Sequence, residues 1–138
     1  MPAISKACPV VLRLQAGRPE ILAFVHPSAG KQFMKGTIEV GESPLEAARR
    51  EMREESGLVA DSNLIALGRT TIGHDRQYWH FFEWSAVGLP DTWYHRTEDD
   101  EGHTFRFFWH PVTAPLDSEW HPVFHQAFAF LLPRIRQF

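Results

Sequence analysis

Hydrophobic and polar positions change period several times along the chain, and each change marks an element. Residues 7–14, ACPVVLRL, are apolar and β-branched through the middle and predict a strand. The turn QAGRP at 15–19 leads to a second strand at 20–26, so the two form a hairpin. A loop follows at 27–30, and residues 37–39 predict a short strand. Residues 44–56 take a helical period. Strands return at 64–72 and 77–87, joined by the turn GHDR at 73–76. In the second of these, alternation puts Tyr78, His80, Phe82 and Trp84 on one face and Trp79, Phe81 and Glu83 on the other. Such an aromatic stripe reads first as core and second as a platform for a flat base. Residues 88–102 read as a polar loop, 103–109 as a strand and 123–132 as a buried closing helix. Either Asp117-Ser118 or His121-Pro122 starts that helix. Strands alternating with two helices predict a mixed β-sheet between helices, an α/β/α sandwich.

The helix at 44–56 is the best-specified element. Ser43 is an N-cap, Pro44 opens the first turn, and Glu46 three residues on completes a capping box. Gly57 is placed to end the helix in the left-handed conformation. With Glu51 at zero on the helical wheel, Glu55 lies roughly 40° to one side and Glu54 roughly 60° to the other. Leu45, Ala48 and Met52 form an adjacent stripe expected to pack on the core, while Glu46, Arg49 and Arg53 point to water. A charged run on a helix is ordinarily a solvated face. Glu51 and Glu55, however, are a like-charge i, i+4 pair that repels by a few tenths of a kcal/mol. A hard cation such as Mg²⁺ bridging them would turn repulsion into attraction.

Gly36, Glu42 and the run Arg50-Glu51-Met52-Arg53-Glu54-Glu55-Ser56-Gly57-Leu58 stand at fixed spacings that resemble the signature of the Nudix hydrolases. The resemblance implies the Nudix fold, an α/β sandwich of the kind just predicted. It implies that Glu51, Glu54 and Glu55 bind a divalent metal, Mg²⁺ or Mn²⁺, together with a backbone carbonyl at Lys35 or Gly36. One of the acids, Glu54 or Glu51, or a further acid from a later loop, would serve as general base. Glu98 and Glu101 are candidates for that later acid, with Glu101 favoured because it adjoins the next strand. Glu42 and Arg50 would form a supporting ion pair, and Gly36 and Gly41 would give the loop its unusual backbone angles. Lys35 before Gly36 is similar to the Lys-Gly pair of members acting on dinucleoside polyphosphates and diphosphoinositol phosphates. It would supply a point charge for extra phosphates. Met34 stands where such members often carry proline. Tyr78 lies roughly where dinucleoside polyphosphate members place a substrate-binding tyrosine. The proline typical of ADP-ribose-cleaving members is missing, which counts against that substrate. The implied activity is hydrolysis of the pyrophosphate bond in a nucleoside diphosphate linked to another moiety, with dinucleoside polyphosphates favoured. The alternatives are a nucleoside triphosphate pyrophosphohydrolase and a nucleotide-sensing module that hydrolyses nothing.

Composition narrows this further. At 138 residues the chain is expected to be one domain, 1–138. Its net charge of −3 argues against a sequence-independent nucleic-acid binder and leaves a capped RNA 5′ end as the nucleic-acid option. The expected partner is a small nucleotide. No apolar run is long enough for a membrane span and no signal peptide is apparent, so the expected compartment is cytoplasmic. The single cysteine, Cys8, excludes an internal disulfide and reads as a small core residue. His121 and His125 read as helix-start and surface residues rather than metal ligands. Trp93, expected to be exposed, offers a surface for a homodimer.

Overall fold

The hairpin at the start sets the sheet. Strand β1 (Ser5–Gln15) turns at Ala16 and Gly17, both with positive φ (51° and 77°), into β2 (Arg18–His26). Two consecutive left-handed residues make the two-residue turn whose twist suits paired strands. The computed structural model describes residues 4–97 and 102–135. After β2 come β3 (Gly30–Gln32), β4 (Gly36–Thr37), α1 (Pro44–Ser56), β5 (Ile65–Ile72), β6 (Gln77–Ser85), β7 (Trp93–Arg96), β8 (Thr104–Pro111) and α2 (Pro122–Leu131). The described strands form one sheet in the order β5-β6-β1-β2-β8-β7, with β3 beside β2 and β4 beside β1. β1 and β6 run parallel and the other pairs are antiparallel.

Alternation along β1 divides the core. Ala7 and Val11 face α1, where they pack with Phe24, Met34, Ala48, Met52 and Phe107. Cys8, Val10 and Leu12 face α2, where they pack with Phe33, Trp79, Phe81, Phe124 and Phe128. The sheet therefore lies between two helices, and the aromatic positions of β6 are shared between the two cores. No described helix is long and apolar enough to cross a membrane.

Three local expectations change. Leu45 is exposed and Ala47 is buried in its place. The buried stripe of α1 is Ala47, Ala48, Glu51, Met52, Glu55 and Ser56, two i, i+4 rows side by side. Glu51 and Glu55 thus lie within the buried face, not merely beside it. The second change is β7, a strand inside the stretch read as loop. Trp93 and Tyr94 favour strand, and β8 gives them a partner, with Trp93 opposite Phe107. Trp93 stacks on the Phe107 ring at 5.0 Å and 9°, and its Nε1–H donates to the Ser56 carbonyl at 3.1 Å. It is a partly buried brace for the end of α1 rather than a freely exposed aromatic. The third change concerns the start of α2. His121 is the cap, its Nδ1 accepting from the Val123 N–H at 3.2 Å. Asp117 instead holds a turn by accepting from the Glu119 N–H at 3.0 Å.

Candidate metal and phosphate site

Local chemistry fixes the register of α1. The Ser43 hydroxyl accepts from the Glu46 N–H at 3.1 Å, and the Glu46 carboxylate accepts from the Ser43 N–H at 3.0 Å. At the other end Gly57 takes φ 80° and its N–H donates to the Arg53 carbonyl at 2.9 Å. Both caps satisfy amides or carbonyls that the helix cannot satisfy itself.

Arg50 organises the loop before the helix. Its Nε and Nη2 donate to the two oxygens of Glu42 at 2.7 and 2.9 Å. Nη2 also donates to the Thr37 carbonyl at 2.9 Å, while Nη1 reaches Glu51 at 2.7 Å and Glu54 at 3.2 Å. The forked bond to Arg50 holds the Glu42 carboxyl below the usual carboxylate range, and these carboxylates in turn raise Arg50. Glu42 and Arg50 are therefore brought together, tying loop to helix.

Gly36 sits directly under Glu51. A Cβ there would fall 1.8 Å from the Glu51 carboxyl carbon. Its φ is not left-handed, so the position needs glycine for space rather than for an unusual angle; Gly41, at φ 83°, is the one that needs the angle.

Glu51, Glu54, Glu55, Gly36, Lys35 and Lys6 line one open cavity of about 520 Å³, completed by Thr37, Glu39, Arg50, Thr97 and Phe105. Glu51 and Glu55 are buried, at 6 % and 8 % exposure. Burial pushes both carboxyls up; the Glu51 charge pushes Glu55 further, while Arg50 pulls Glu51 back and Lys35 pulls Glu55 back. The Oε1 of Glu55 has no hydrogen-bond partner among the described residues.

Among the described residues no three His, Cys, Asp or Glu side chains are arranged to hold a metal ion as they stand. Arg50 Nη1 lies 2.7 Å from Glu51 and 3.2 Å from Glu54 and supplies positive charge there. The donor set nevertheless fits a hard divalent cation. It is all oxygen, it includes an orphaned buried carboxylate oxygen, and Gly36 leaves room for the Glu51 carboxylate.

The other predicted residues divide. Lys35 lines the cavity, with Nζ 5.7 Å from the Trp79 ring centre and 5.9 Å from that of Phe124. Tyr78 is not among the lining residues; it lies opposite Ser5 on β1 with the Arg69 guanidinium 4.9 Å over its ring. Glu98 and Glu101 lie outside the described residues. Lys6 lines the cavity without having been singled out. Its Nζ donates to the Thr37 hydroxyl at 2.8 Å, and burial together with Lys35 lowers its pKa. It falls one residue outside the strand expected at 7–14, and it is joined to Thr37 by a pairing of β1 with β4 that no local pattern announces. His95 on β7 was missed too. Its ring lies against Gly57, with Nε2 3.1 Å from the Glu54 carbonyl.

The sequence profile of the NUDIX domain family matches residues 7–129. No curated protein is similar to the chain in sequence. Solved structures are similar over nearly the whole length. A MutT protein from Methanosarcina mazei matches with a TM-score of 0.70 at 15 % identity, covering 98 % of this chain and 97 % of that one. A MutT NUDIX hydrolase from Burkholderia pseudomallei gives 0.69 at 16 %, covering 99 % and 100 %. An Ap4A hydrolase from C. elegans gives 0.68 at 17 %, covering 94 % and 95 %.

Proposed function

The chain belongs to the Nudix hydrolase family, and from that premise we propose that it hydrolyses the pyrophosphate bond of a nucleoside diphosphate linked to another moiety, with dinucleoside polyphosphates favoured. The observation that carries the reading is the buried pair Glu51 and Glu55, one oxygen of it orphaned, facing a cavity whose wall also bears Lys35. A cavity of about 520 Å³ is of the size that small ligands use.

Glu51, Glu54, Glu55 and the Gly36 carbonyl are the residues that would hold Mg²⁺ or Mn²⁺. When bound, such a cation neutralises charge on phosphoryl oxygens and lowers the pKa of water. Arg50 holds Glu51 and Glu54 in place. Lys35 binds phosphate oxygens. Glu54, at 22 % the most exposed of the three side chains, takes the proton from the attacking water. The water oxygen bonds to one phosphorus, the bridging O–P bond breaks, and the leaving phosphate keeps the bridging oxygen and its electron pair. Glu101 is the second candidate for the base. Substrate binding is assigned to Lys35 rather than Tyr78, whose place lies outside the cavity lining.

The test is turnover in Mg²⁺ of a dinucleoside tetraphosphate, nucleoside triphosphates and capped RNA ends, with products identified. Cleavage between phosphates is expected, and Glu54→Gln and Glu55→Gln should each lose about 10²-fold or more, as when a group that stabilises transition-state charge is removed. Tight binding of an intact nucleotide without cleavage would instead mark a sensing module.

A further inference from the structure

We propose that Lys6, oriented by Thr37, is a specificity-determining residue that binds a phosphate beyond the scissile pair, so that the site prefers chains of three or more phosphates. The substrate class rests on the hydrolase reading above; the subsite itself rests on geometry. Lys6 and Thr37 are cross-strand partners on β1 and β4, and Nζ meets Oγ1 at 2.8 Å. That bond uses one of three ammonium donors and leaves two. The Thr37 hydroxyl, once it accepts from Lys6, has its own proton free to donate to a phosphate oxygen.

Lys6 and Lys35 share the cavity with three carboxylates, yet among the described residues neither lysine forms a salt bridge. Arg50 occupies Glu51 and Glu54. Two lysines with no carboxylate bonded to either among the described residues therefore line one cavity. The arrangement suits an anion that arrives with the ligand.

Charge decides which anion. A diphosphate esterified at both ends carries two negative charges, and each inserted phosphate adds one more. Further phosphates add charge that the acidic wall repels and the lysine wall attracts. Thr37 directly follows Gly36, and one strand residue spans about 3.3 Å. The Lys6 amine is thus anchored one residue along from the carbonyl assigned to the cation.

The experiment is isothermal titration, with a divalent cation present, of wild type, Lys6→Met and Lys6→Arg with methylene-bridged analogues of diphosphate and triphosphate. Wild type should bind the triphosphate analogue about tenfold tighter or more, the increment of one charged hydrogen bond. Lys6→Met should lose most of that preference, with a clearly larger loss for triphosphate than for diphosphate, and Lys6→Arg should keep most of it. Equal losses on both ligands, or no change in Lys6→Met, would overturn the subsite. If Lys6→Met fails to fold by circular dichroism, the exposed position Thr37 carries the test, Thr37→Val shifting the preference in the same direction by a smaller factor. A wild type that shows the preference but cleaves no nucleotide leaves the subsite standing and removes the catalytic reading instead.

Discussion

Glu55 concentrates the tension of the site in one side chain. It is buried, it neighbours Glu51, and one oxygen has no partner among the described residues. Its carboxyl and that of Glu51 are raised above the ordinary value of about 4.3 by burial. Groups raised in this way hold more protons in the folded state than in the unfolded one. Their contribution is fully present below the unfolded pKa and is lost as pH rises through the folded values. Glu42 works the other way: Arg50 depresses it, so its contribution is present above the unfolded pKa and is lost on acidification. Glu55→Gln is therefore expected to gain in metal-free Tm relative to wild type on going from pH 4 to pH 8, because glutamine has no charge to bury. Near pH 4 the wild-type carboxyl is itself protonated. Differential scanning calorimetry in EDTA at the two pH values checks this, and the same variant should show the loss of turnover of about 10²-fold or more expected above. Residue-level chemistry was legible where it was local. The signature spacing picks out Gly36, Glu42, Arg50 and the three acids, and all of them meet in or beside one cavity. The burial of Glu51 and Glu55 was not legible, because it depends on which side of α1 meets the sheet.

At the scale of elements, α1 was readable from end to end because its caps lie within the same fifteen residues that they terminate. β7 was not. Its partner β8 lies across an acidic run that reads as solvated, and a strand of four residues carries little periodicity of its own. Yet β7 matters to the site, because Trp93 and His95 reach the C-terminal end of α1 at the Ser56 and Glu54 carbonyls. Those carbonyls have no partner inside the helix. Trp93→Ala should destabilise the protein by about 3 kcal/mol, the usual scale for truncating a packed tryptophan. It should also lower turnover in Mg²⁺, since the last turn of α1 carries Glu54 and Glu55. Urea unfolding measures the first effect, and kcat at saturating substrate measures the second.

Over the whole molecule, the sandwich followed from the order of strands and helices, and β6 sorts its side chains to two helices as its alternation predicted. The site was legible in halves. Its acidic half comes from one helix and is written in one stretch; its basic half needs β4 to lie beside β1, a contact between positions thirty-one residues apart. Ligand binding should couple to global stability through the acidic half. Mg²⁺ at about a hundred times its dissociation constant adds about 2.7 kcal/mol. That corresponds to a Tm rise of about 10 °C for a domain of this size. The rise should grow as pH increases and the buried carboxylates, both raised by burial, ionise, and EDTA should reverse it; a response flat with pH would place the cation elsewhere.

The route by which β1 enters the sheet has a practical side. Its second residue already forms part of the cavity wall, so the amino end of β1 lies beside that opening. An affinity handle fused at the amino end would hang close to the mouth, and a polyhistidine handle would bring its own appetite for divalent ions to that doorway. Rate constants taken on such a fusion would describe handle and enzyme together, until the handle is cut away.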